Sequence, residues 1–170
     1  MTKSSDIKVI LIGGTSHTGK TTLGKAIANL LDWDYIATDS LAKHPSRPWI
    51  SANNKMLKKH VVEHYKNLSS LELVTDVLRH YAQNVLPQVE TLIQDYCSIS
   101  ANKCLIMEGS ALFPTLVKKL VKQENVRGFF LVASRSLLKN RIFASSNFYR
   151  VEKKERYLIY KFLERAWFYN

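Results

Sequence analysis

The sequence predicts an α/β fold in three layers, a parallel sheet with helices on both faces. Three observations predict it. Short apolar, β-branched runs alternate with segments of helical spacing along the 170 residues. The first run is followed by a glycine-rich turn and an amphipathic helix, as in a β-α-β unit. Hydrophobic residues make up 46% of the chain, enough to bury a core and too many for a disordered chain.

Four apolar runs predict the strands of the sheet, at residues 7–12, 34–38, 103–107 and 127–132. Near-continuous hydrophobicity is typical of strands that are buried on both faces of a parallel sheet. The helical connections between them predict right-handed crossovers. In such sheets ligands bind at the carboxyl ends of the strands. The residues that directly follow each strand are therefore the candidates for a functional site.

The first helix is predicted over residues 20–31, directly after the glycine-rich turn. Its leucines and isoleucine are spaced so that they share one side of the helix, the side that a surface helix turns toward the core. This predicted apolar face consists of Leu23, Ile27, Leu30 and Leu31.

Capping residues and prolines mark the later helices. Ser69 and Glu72 have the spacing of a capping box, which predicts a helix that starts directly after Ser69 and carries Leu71 on its apolar stripe. Pro87 interrupts this helix, and a second helical stretch follows it. The remaining helices are predicted over residues 54–66 and 115–123, after a cap at Ser134, and over 151–168.

A single domain is predicted for residues 1–170, since the sequence has no repeat, low-complexity tract or interdomain linker. The two cysteines, Cys97 and Cys104, form no CxxC pattern, so a disulfide scaffold and a structural zinc site are not expected. No apolar run is long enough to span a membrane, and no secretory signal is visible at the start. We therefore expect a cytoplasmic protein without a membrane partner.

Positive charge is concentrated in the last third of the sequence. The chain has a formal net charge of +11, of which residues 116–170 hold +9 and residues 1–115 hold +2. A basic segment attracts anions such as nucleic acid, acidic lipid or phosphorylated small molecules. A solvated helix surface accounts for the same charge equally well.

Residues 14–21, Gly-Thr-Ser-His-Thr-Gly-Lys-Thr, match the pattern GxxxxGK[ST] without interruption. The glycines let successive backbone N–H groups point into one concavity that binds anions. The Lys20 ammonium would lie between the β- and γ-phosphates of a nucleotide, and the Thr21 hydroxyl would meet Mg²⁺. The candidate nucleotide-binding residues are Gly14, Thr15, Ser16, His17, Thr18, Gly19, Lys20, Thr21 and Thr22.

Two carboxylates follow strands at the same predicted edge of the sheet. Asp39, after the second strand, could accept a proton from an attacking hydroxyl, hold a magnesium-bound water, or cap the next turn. Glu108, after the third strand, stands where a Walker B site usually has Asp. It could bind Mg²⁺ through water, orient an acceptor, or simply be solvated. The predicted metal-binding residues are Thr21, Asp39 and Glu108.

The segment 133–150 is predicted to be a lid that is open without ligand and closes over phosphates. It carries four basic residues and no acidic one, and residues 144–147 in its middle are small and polar. Arginines that close over a transferring phosphoryl group stabilise the charge on its oxygens. The predicted catalytic residues are Lys20, Asp39, Arg135 and Arg141.

Together these residues resemble the P-loop small-molecule kinases, the branch of P-loop NTPases that contains adenylate, uridine, shikimate and nicotinamide riboside kinases. The loop GGTSHTGKTTL, Asp39 and the stretch LIMEGSALF look most like nicotinamide riboside kinase and uridine kinase. The EG pair in that stretch is also similar to 2-phosphoglycerate kinase. The resemblance covers residues 7–40 and 103–142.

The resemblance implies a P-loop NTPase fold and a phosphotransferase that uses ATP and Mg²⁺ to phosphorylate a small molecule. It implies a helical acceptor-binding region at residues 41–100, and Arg135 and Arg141 match the position of the family's mobile arginine lid. Two departures stand out. No fifth strand is predicted, although the loop before that strand helps to hold adenine in the family. The lid is also rich in aromatic residues.

Other classes of function stay open at this stage, among them a non-kinase P-loop NTPase. A GTPase would need the pattern NKxD, and neither Asn-Lys pair, at 54–55 and 102–103, is followed by the Asp. A nucleic-acid-binding ATPase could use the basic tail, whose aromatic side chains would either stack on bases or pack the core. These aromatics are Phe148, Tyr149, Tyr157, Tyr160, Trp167 and Phe168, of which the last two could also form a homodimer contact.

The acceptor is the least determined part. Residues 43–49, Lys-His-Pro-Ser-Arg-Pro-Trp, follow Asp39 and concentrate positive and aromatic character. This segment predicts an anionic or ring-bearing, nucleoside-like acceptor.

Overall fold

The computed structural model describes residues 7–42, 47–50, 57–98 and 103–170. Some predicted features lie outside these ranges: the start of the helix predicted over 54–66, residues 43–46 of the segment after Asp39, and Asn54, Lys55 and Asn102 of the two Asn-Lys pairs.

Four parallel strands form the sheet, as the sequence predicts. They are Val9–Gly14 (β1), Asp34–Ala37 (β2), Leu105–Glu108 (β3) and Val126–Leu131 (β4), in the spatial order β2-β3-β1-β4. Within the described residues no fifth strand joins this sheet. Ile12 of β1 and Ala37 of β2 both pair with Glu108 of β3. The three strands are therefore in register close to their carboxyl ends.

The first strand runs two residues beyond its predicted end, through the glycine pair. Gly13 and Gly14 pair with Phe130 and Leu131 of β4. A Cβ atom on Gly13 would lie 2.2 Å from the carbonyl oxygen of Leu112, so only glycine fits there without moving the backbone. The glycines therefore continue the strand and do not end it.

Seven α-helices lie in the described residues, and none of them is long and apolar enough to cross a membrane. The predicted helix over 115–123 is wrong as one element, because the chain forms a single α-turn followed by a 3-10 turn at Leu120–Lys122. The helices are Lys20–Leu31 (α1), Lys59–Asn67 (α2), Ser70–Asn84 (α3), Leu86–Cys97 (α4), Pro114–Val117 (α5), Arg135–Ser145 (α6) and Lys153–Tyr169 (α7).

The predicted caps are present. The Ser69 backbone N–H donates to the Glu72 carboxylate at 2.7 Å, and the Glu72 N–H donates to the Ser69 hydroxyl at 3.2 Å. Ser134 accepts a hydrogen bond from the N–H of Leu137 at 3.2 Å and so caps α6. Leu71, predicted to lie on the apolar stripe of α3, is exposed instead.

The predicted apolar face of α1 is wrong at three of its four positions, whereas Ile27 is partly buried and packs against the core of the sheet unit. Leu30 is 83% exposed, Leu23 and Leu31 are also exposed, and the helix buries Gly24 and Ala28 instead. The loop that follows β1 leads directly into α1, so the helix starts close to the sheet. Only small side chains fit between the helix and the strands at so short a separation.

The contacts within the chain divide it into two compact units. Met1–Lys43 with Leu78–Leu131 form one, here called the sheet unit, and His44–Val77 with Val132–Asn170 form the other, the helical unit. This division does not test the prediction that residues 1–170 form a single domain, which stays a prediction.

The sheet unit has helices against both faces of its sheet. Ile12 and Ile106 pack with Ala28 of α1 on one face. The neighbouring residues Leu11 and Met107 point to the other face and are also buried, and α4 contacts β1. This is the three-layer α/β arrangement that the sequence predicts.

The helical unit has its own apolar core between α2, α6 and α7. Trp49 is buried in it and meets Phe162 edge-on, with ring centroids 4.7 Å apart. Phe143 and Phe148 stack at 3.8 Å in the same core. Of the tail aromatics considered for base stacking, Phe148 is thus a core residue. The other five are exposed: Tyr149, Tyr157, Tyr160, Trp167 and Phe168.

Candidate active site

The loop between β1 and α1 has the backbone that an anion-binding loop requires. Gly14, His17 and Gly19 all have positive φ angles, of 142°, 69° and 99°. A Cβ atom on Gly14 would lie 2.7 Å from the Leu131 carbonyl oxygen, so that position needs glycine on steric grounds as well. Residues 15–18 are thereby wrapped around the amino terminus of α1, where backbone N–H groups and the helix dipole favour anions.

Lys20 is held inside this loop. Its side chain is only 8% exposed, and its ammonium donates a hydrogen bond of 2.8 Å to the Thr15 carbonyl oxygen. The Thr18 hydroxyl donates to the same oxygen at 2.9 Å. A nearly buried ammonium needs acceptors, and here the loop supplies one from its own backbone. The charge therefore lies inside the loop, and its predicted place between the phosphates of a nucleotide stays a prediction.

Glu108, at the end of β3, is a buried carboxylate with two hydroxyl partners. It is only 4% exposed, and its Oε1 accepts hydrogen bonds from Thr21 at 3.0 Å and from Tyr35 at 2.8 Å. Burial, then the hydrogen bond to Glu108 and its charge, raise the pKa of Tyr35 far above its ordinary value. The phenol is accordingly a proton donor to this carboxylate at any physiological pH.

Gly24 makes this arrangement possible. A Cβ atom there would lie 3.2 Å from Cε2 of Tyr35 and 3.4 Å from Cγ of Glu108. The absence of a side chain lets α1 lie close to the ends of β2 and β3, which brings Thr21 within hydrogen-bond distance of Glu108.

Asp39 lies in a 3-10 turn, Thr38–Ser40, directly after β2. Its side chain is exposed, and its charge makes a small contribution to raising the pKa of Tyr35. In the turn it is the Ser40 hydroxyl, not Asp39, that bonds to the backbone, donating to the Ala37 carbonyl at 2.7 Å.

Thr38 and Gly109 meet beneath this edge of the sheet. Thr38 is buried, and its hydroxyl has no hydrogen-bond partner within the described part of the chain. Gly109 has a φ of 156°, and a Cβ atom there would lie 1.7 Å from the Thr38 hydroxyl oxygen. The glycine after β3 is therefore required by the close approach of Thr38.

The oxygens of Thr21 and Glu108 suit magnesium. A hydroxyl and a carboxylate 3.0 Å apart are hard oxygen donors. No group of three or more His, Cys, Asp or Glu side chains among the described residues could hold a metal by itself. Mg²⁺ usually takes one or two carboxylates and completes its shell with phosphate oxygens and water, so Thr21 and Glu108 could contribute to such a site. The part of Asp39 in this site stays a prediction.

The two predicted catalytic arginines belong to the helical unit and lie on different faces of α6. Six residues apart, Arg135 and Arg141 point about 120° away from each other around the helix. The Arg135 guanidinium lies 5.9 Å from the ring centre of Trp167 and lines a groove of about 630 Å³ with Lys139 and Lys161. The two arginines therefore leave α6 in different directions.

The predicted lid, 133–150, is the helix α6 with the turn that follows it. Leu138, Ile142 and Phe143 are buried in the core of the helical unit, and Phe148 packs with them. Any closing of this segment would have to move α6 as a rigid element, since its inward face is packed. The lid itself stays a prediction.

Tyr35 and Thr38 are not among the site residues that the sequence predicts. Tyr35 belongs to the predicted second strand, and Thr38 stands at the end of that strand, among the residues that follow it toward the ligand edge. Tyr35 could have been found from its place in an apolar strand. The hydroxyl of a buried tyrosine usually has a hydrogen-bond partner, so a tyrosine in such a strand indicates a polar group nearby. For Thr38 the sequence offers only its place beside Asp39.

The chain was compared with known proteins. No protein-family model matches the sequence, and no curated protein matches it. Among solved structures, a gluconokinase from Sinorhizobium meliloti 1021 has a TM-score of 0.49 at 19% identity, over 92% of this chain and 73% of that chain. A shikimate kinase from Acinetobacter baumannii in complex with shikimate has a TM-score of 0.44 at 17% identity, over 91% and 74%. Such scores carry no functional argument, and the predicted likeness to nicotinamide riboside kinase and uridine kinase stays a prediction.

Replacing the glycine after β3 should destabilise the fold. For Gly109→Ala we expect the free energy of unfolding, measured by urea denaturation, to fall by about 1–3 kcal/mol, because the new Cβ meets Thr38 in a backbone conformation that suits glycine. Thr38→Ala removes the nearest atom, so the double variant should be more stable than the two single effects added together, by about 0.5 kcal/mol or more. Wild-type stability in Gly109→Ala, or simple additivity, would contradict this account of Gly109.

Proposed function

We propose that this protein is an ATP-dependent phosphotransferase, which moves the γ-phosphate of ATP-Mg²⁺ to a small-molecule acceptor. The observation that carries the proposal is the glycine-rich loop between β1 and α1, with the Lys20 ammonium inside it and the Thr21 hydroxyl bonded to the buried Glu108. This combination serves to bind a polyphosphate together with its metal.

In this proposal the loop binds and orients the donor. The backbone N–H groups of residues 15–19 and the Lys20 ammonium neutralise the β- and γ-phosphates. Thr21 and Glu108 would hold the magnesium ion, which would supply neutralisation of the phosphate charge. Because Lys20 and Glu108 are almost buried, these interactions act with little screening by water.

Asp39 is proposed to act on the acceptor. Its carboxylate is exposed, at the same edge of the sheet as Glu108, and it makes no hydrogen bond that would tie it to the 3-10 turn as a cap. It can therefore accept the proton of an attacking hydroxyl as the oxygen bonds to phosphorus.

Arg141 is proposed to stabilise the charge of the transferring phosphate when the lid closes. Helix α6 begins four residues after the end of β4. Arg135 was predicted for the same role and stays the second candidate. Its guanidinium lies 5.9 Å from the ring centre of Trp167.

Of the two predicted kinds of acceptor, anionic and nucleoside-like, we propose the anionic one. In the predicted acceptor segment Trp49 is a core residue of the helical unit, so it cannot supply a stacking surface. The Arg47 guanidinium lies 5.9 Å from the centre of the Trp49 ring. Within the described part of this segment, Arg47 is the basic residue that could meet an anion.

The experiment that tests the function is a coupled assay of ADP release over nucleosides, nicotinamide riboside, shikimate and phosphoglycerates. Acceptor-dependent ADP release supports a kinase, whereas release without any acceptor supports a simple NTPase.

Removing the side chain of Lys20 should weaken the binding of ATP-Mg²⁺ and abolish turnover. For Lys20→Ala we expect the affinity for ATP-Mg²⁺, measured by calorimetry, to fall by about 10- to 100-fold, the worth of a charge-assisted hydrogen bond, with turnover reduced to background. Lys119→Ala, an exposed lysine of the same unit, is the matched control and should behave as wild type. Unchanged affinity in Lys20→Ala would refute the assignment of the loop.

Asp39→Asn keeps the shape of the side chain and removes the base. We expect kcat to fall by about 100-fold or more while the affinity for ATP-Mg²⁺ changes little. Asp32→Asn serves as the control, because Asp32 ends α1 in a left-handed conformation that Asn also adopts, on the side of the sheet unit away from the loop. Full activity in Asp39→Asn would leave Asp39 with no catalytic part.

The lid is tested by hydrogen exchange with and without a non-hydrolysable ATP analogue and magnesium. Protection across residues 133–150 should rise more than in residues 71–85. Arg141→Ala should lower kcat by about 100-fold or more, whereas Arg127→Ala, at the amino end of β4, should not. Equal protection in both states, or normal turnover in Arg141→Ala, would mean that the basic charge belongs to a static surface.

A further inference from the structure

The carboxylate at the end of β3 has one oxygen that serves two donors from two different elements. Oε1 of Glu108 accepts the Thr21 hydroxyl, from the first turn of α1, at 3.0 Å. The same oxygen accepts the Tyr35 hydroxyl, from β2, at 2.8 Å. A carboxylate oxygen has two lone pairs, so Oε1 is fully used. In the described part of the chain no donor bonds to the other oxygen, Oε2.

Two consequences follow from this geometry. Rotation of the carboxylate about its last bond would break both hydrogen bonds at once, so Tyr35 limits the orientation of Glu108. Thr21 uses its proton toward Oε1, which leaves the lone pairs of its own oxygen for a cation. Thr21 is exposed, as a group that meets an arriving ligand must be.

We propose that Tyr35 is a positioning residue of the magnesium site: its hydroxyl fixes the Glu108 carboxylate so that Thr21 stays a donor to Oε1 and presents its oxygen to Mg²⁺. This inference rests on the proposed function, because it concerns the metal that accompanies the nucleotide. We assign Tyr35 no contact with the metal, and its role is confined to the hydrogen bond with Glu108.

The ring of Tyr35 has separate contacts that do not need the hydroxyl. Its edge lies against Gly24, and the Lys25 ammonium lies 5.8 Å from its centre. A phenylalanine would keep both contacts. Loss of the hydroxyl therefore removes the bond to Glu108 and leaves the packing of α1 on the strand in place.

The experiment uses the full chain and Mn²⁺ as the probe of the metal site. Binding of Mn²⁺ to the ADP complex is measured by electron paramagnetic resonance in wild type and in Tyr35→Phe, beside ADP affinity in EDTA. We expect Mn²⁺ affinity to fall about tenfold, as loss of one hydrogen bond to a charged group allows. ADP affinity in EDTA should stay within about twofold of wild type, since phosphates still meet the loop. A purely structural role would lower both.

Tyr96→Phe is the matched control. The Tyr96 hydroxyl donates to the Asp34 carboxylate at 2.7 Å, the same chemistry at the opposite end of β2. This variant should leave Mn²⁺ affinity unchanged, and melting curves of both variants verify that they fold.

The outcomes distinguish a failure of the proposed function from a failure of the role of Tyr35 alone. If wild type binds neither ADP nor Mn²⁺-ADP, the proposed function fails and this inference fails with it. If wild type binds both and folded Tyr35→Phe binds Mn²⁺ as tightly as wild type, or loses ADP affinity in EDTA equally, only the role of Tyr35 is overturned. A similar loss of Mn²⁺ affinity in Tyr96→Phe overturns it as well, because the effect would not be local. Should Tyr35→Phe not fold, the phenol is needed for folding and the proposed positioning role is also overturned.

Discussion

The burial of one carboxylate organises the functional edge of the sheet unit. A charge with so little contact with water is stable only if hydrogen bonds replace its solvation. For Glu108 these come from the hydroxyls of Thr21 and Tyr35, and the amino terminus of α1 adds a favourable dipole. Meeting that requirement brings β2, β3 and α1 together at one point. The phosphate loop, which leads directly into α1, is thereby fixed in place as well.

The close approach of α1 to the sheet also explains why hydrophobic periodicity predicts the wrong buried side for this helix. Leu23, Leu30 and Leu31 are hydrophobic and have helical spacing, and this pattern is typical of residues that face the core. The helix instead turns Gly24 and Ala28 to the sheet, since a leucine would hold it too far away for Thr21 to reach Glu108. A requirement of the site thus overrides hydrophobic patterning, and that requirement lies in another part of the sequence.

Local signals predicted the four strands and the helix caps. The strands follow from short apolar runs, and the capping box follows from Ser69 and Glu72. The glycine-rich turn between β1 and α1 follows from its own spacing, and its binding of phosphate stays a prediction. What could not be predicted depends on contacts between distant residues. The bond from Tyr35 to Glu108 joins positions 73 apart, and the approach of Thr38 to Gly109 is visible only when the ends of β2 and β3 are placed side by side. In the helical unit the same limit applies to Trp49, whose burial depends on Phe162.

Where an anion accepts the hydrogen bond that Lys20 now donates to the Thr15 carbonyl, it replaces an existing partner. The gain in free energy from that one hydrogen bond is then the difference between two acceptors, a neutral carbonyl and a charged oxygen, and not the full strength of the new bond. Sulfate and inorganic phosphate offer the same kind of oxygen to the same ammonium. Such buffer anions would compete with nucleotide for the loop, and the affinity observed in solution would then depend on the salt in which the protein is kept.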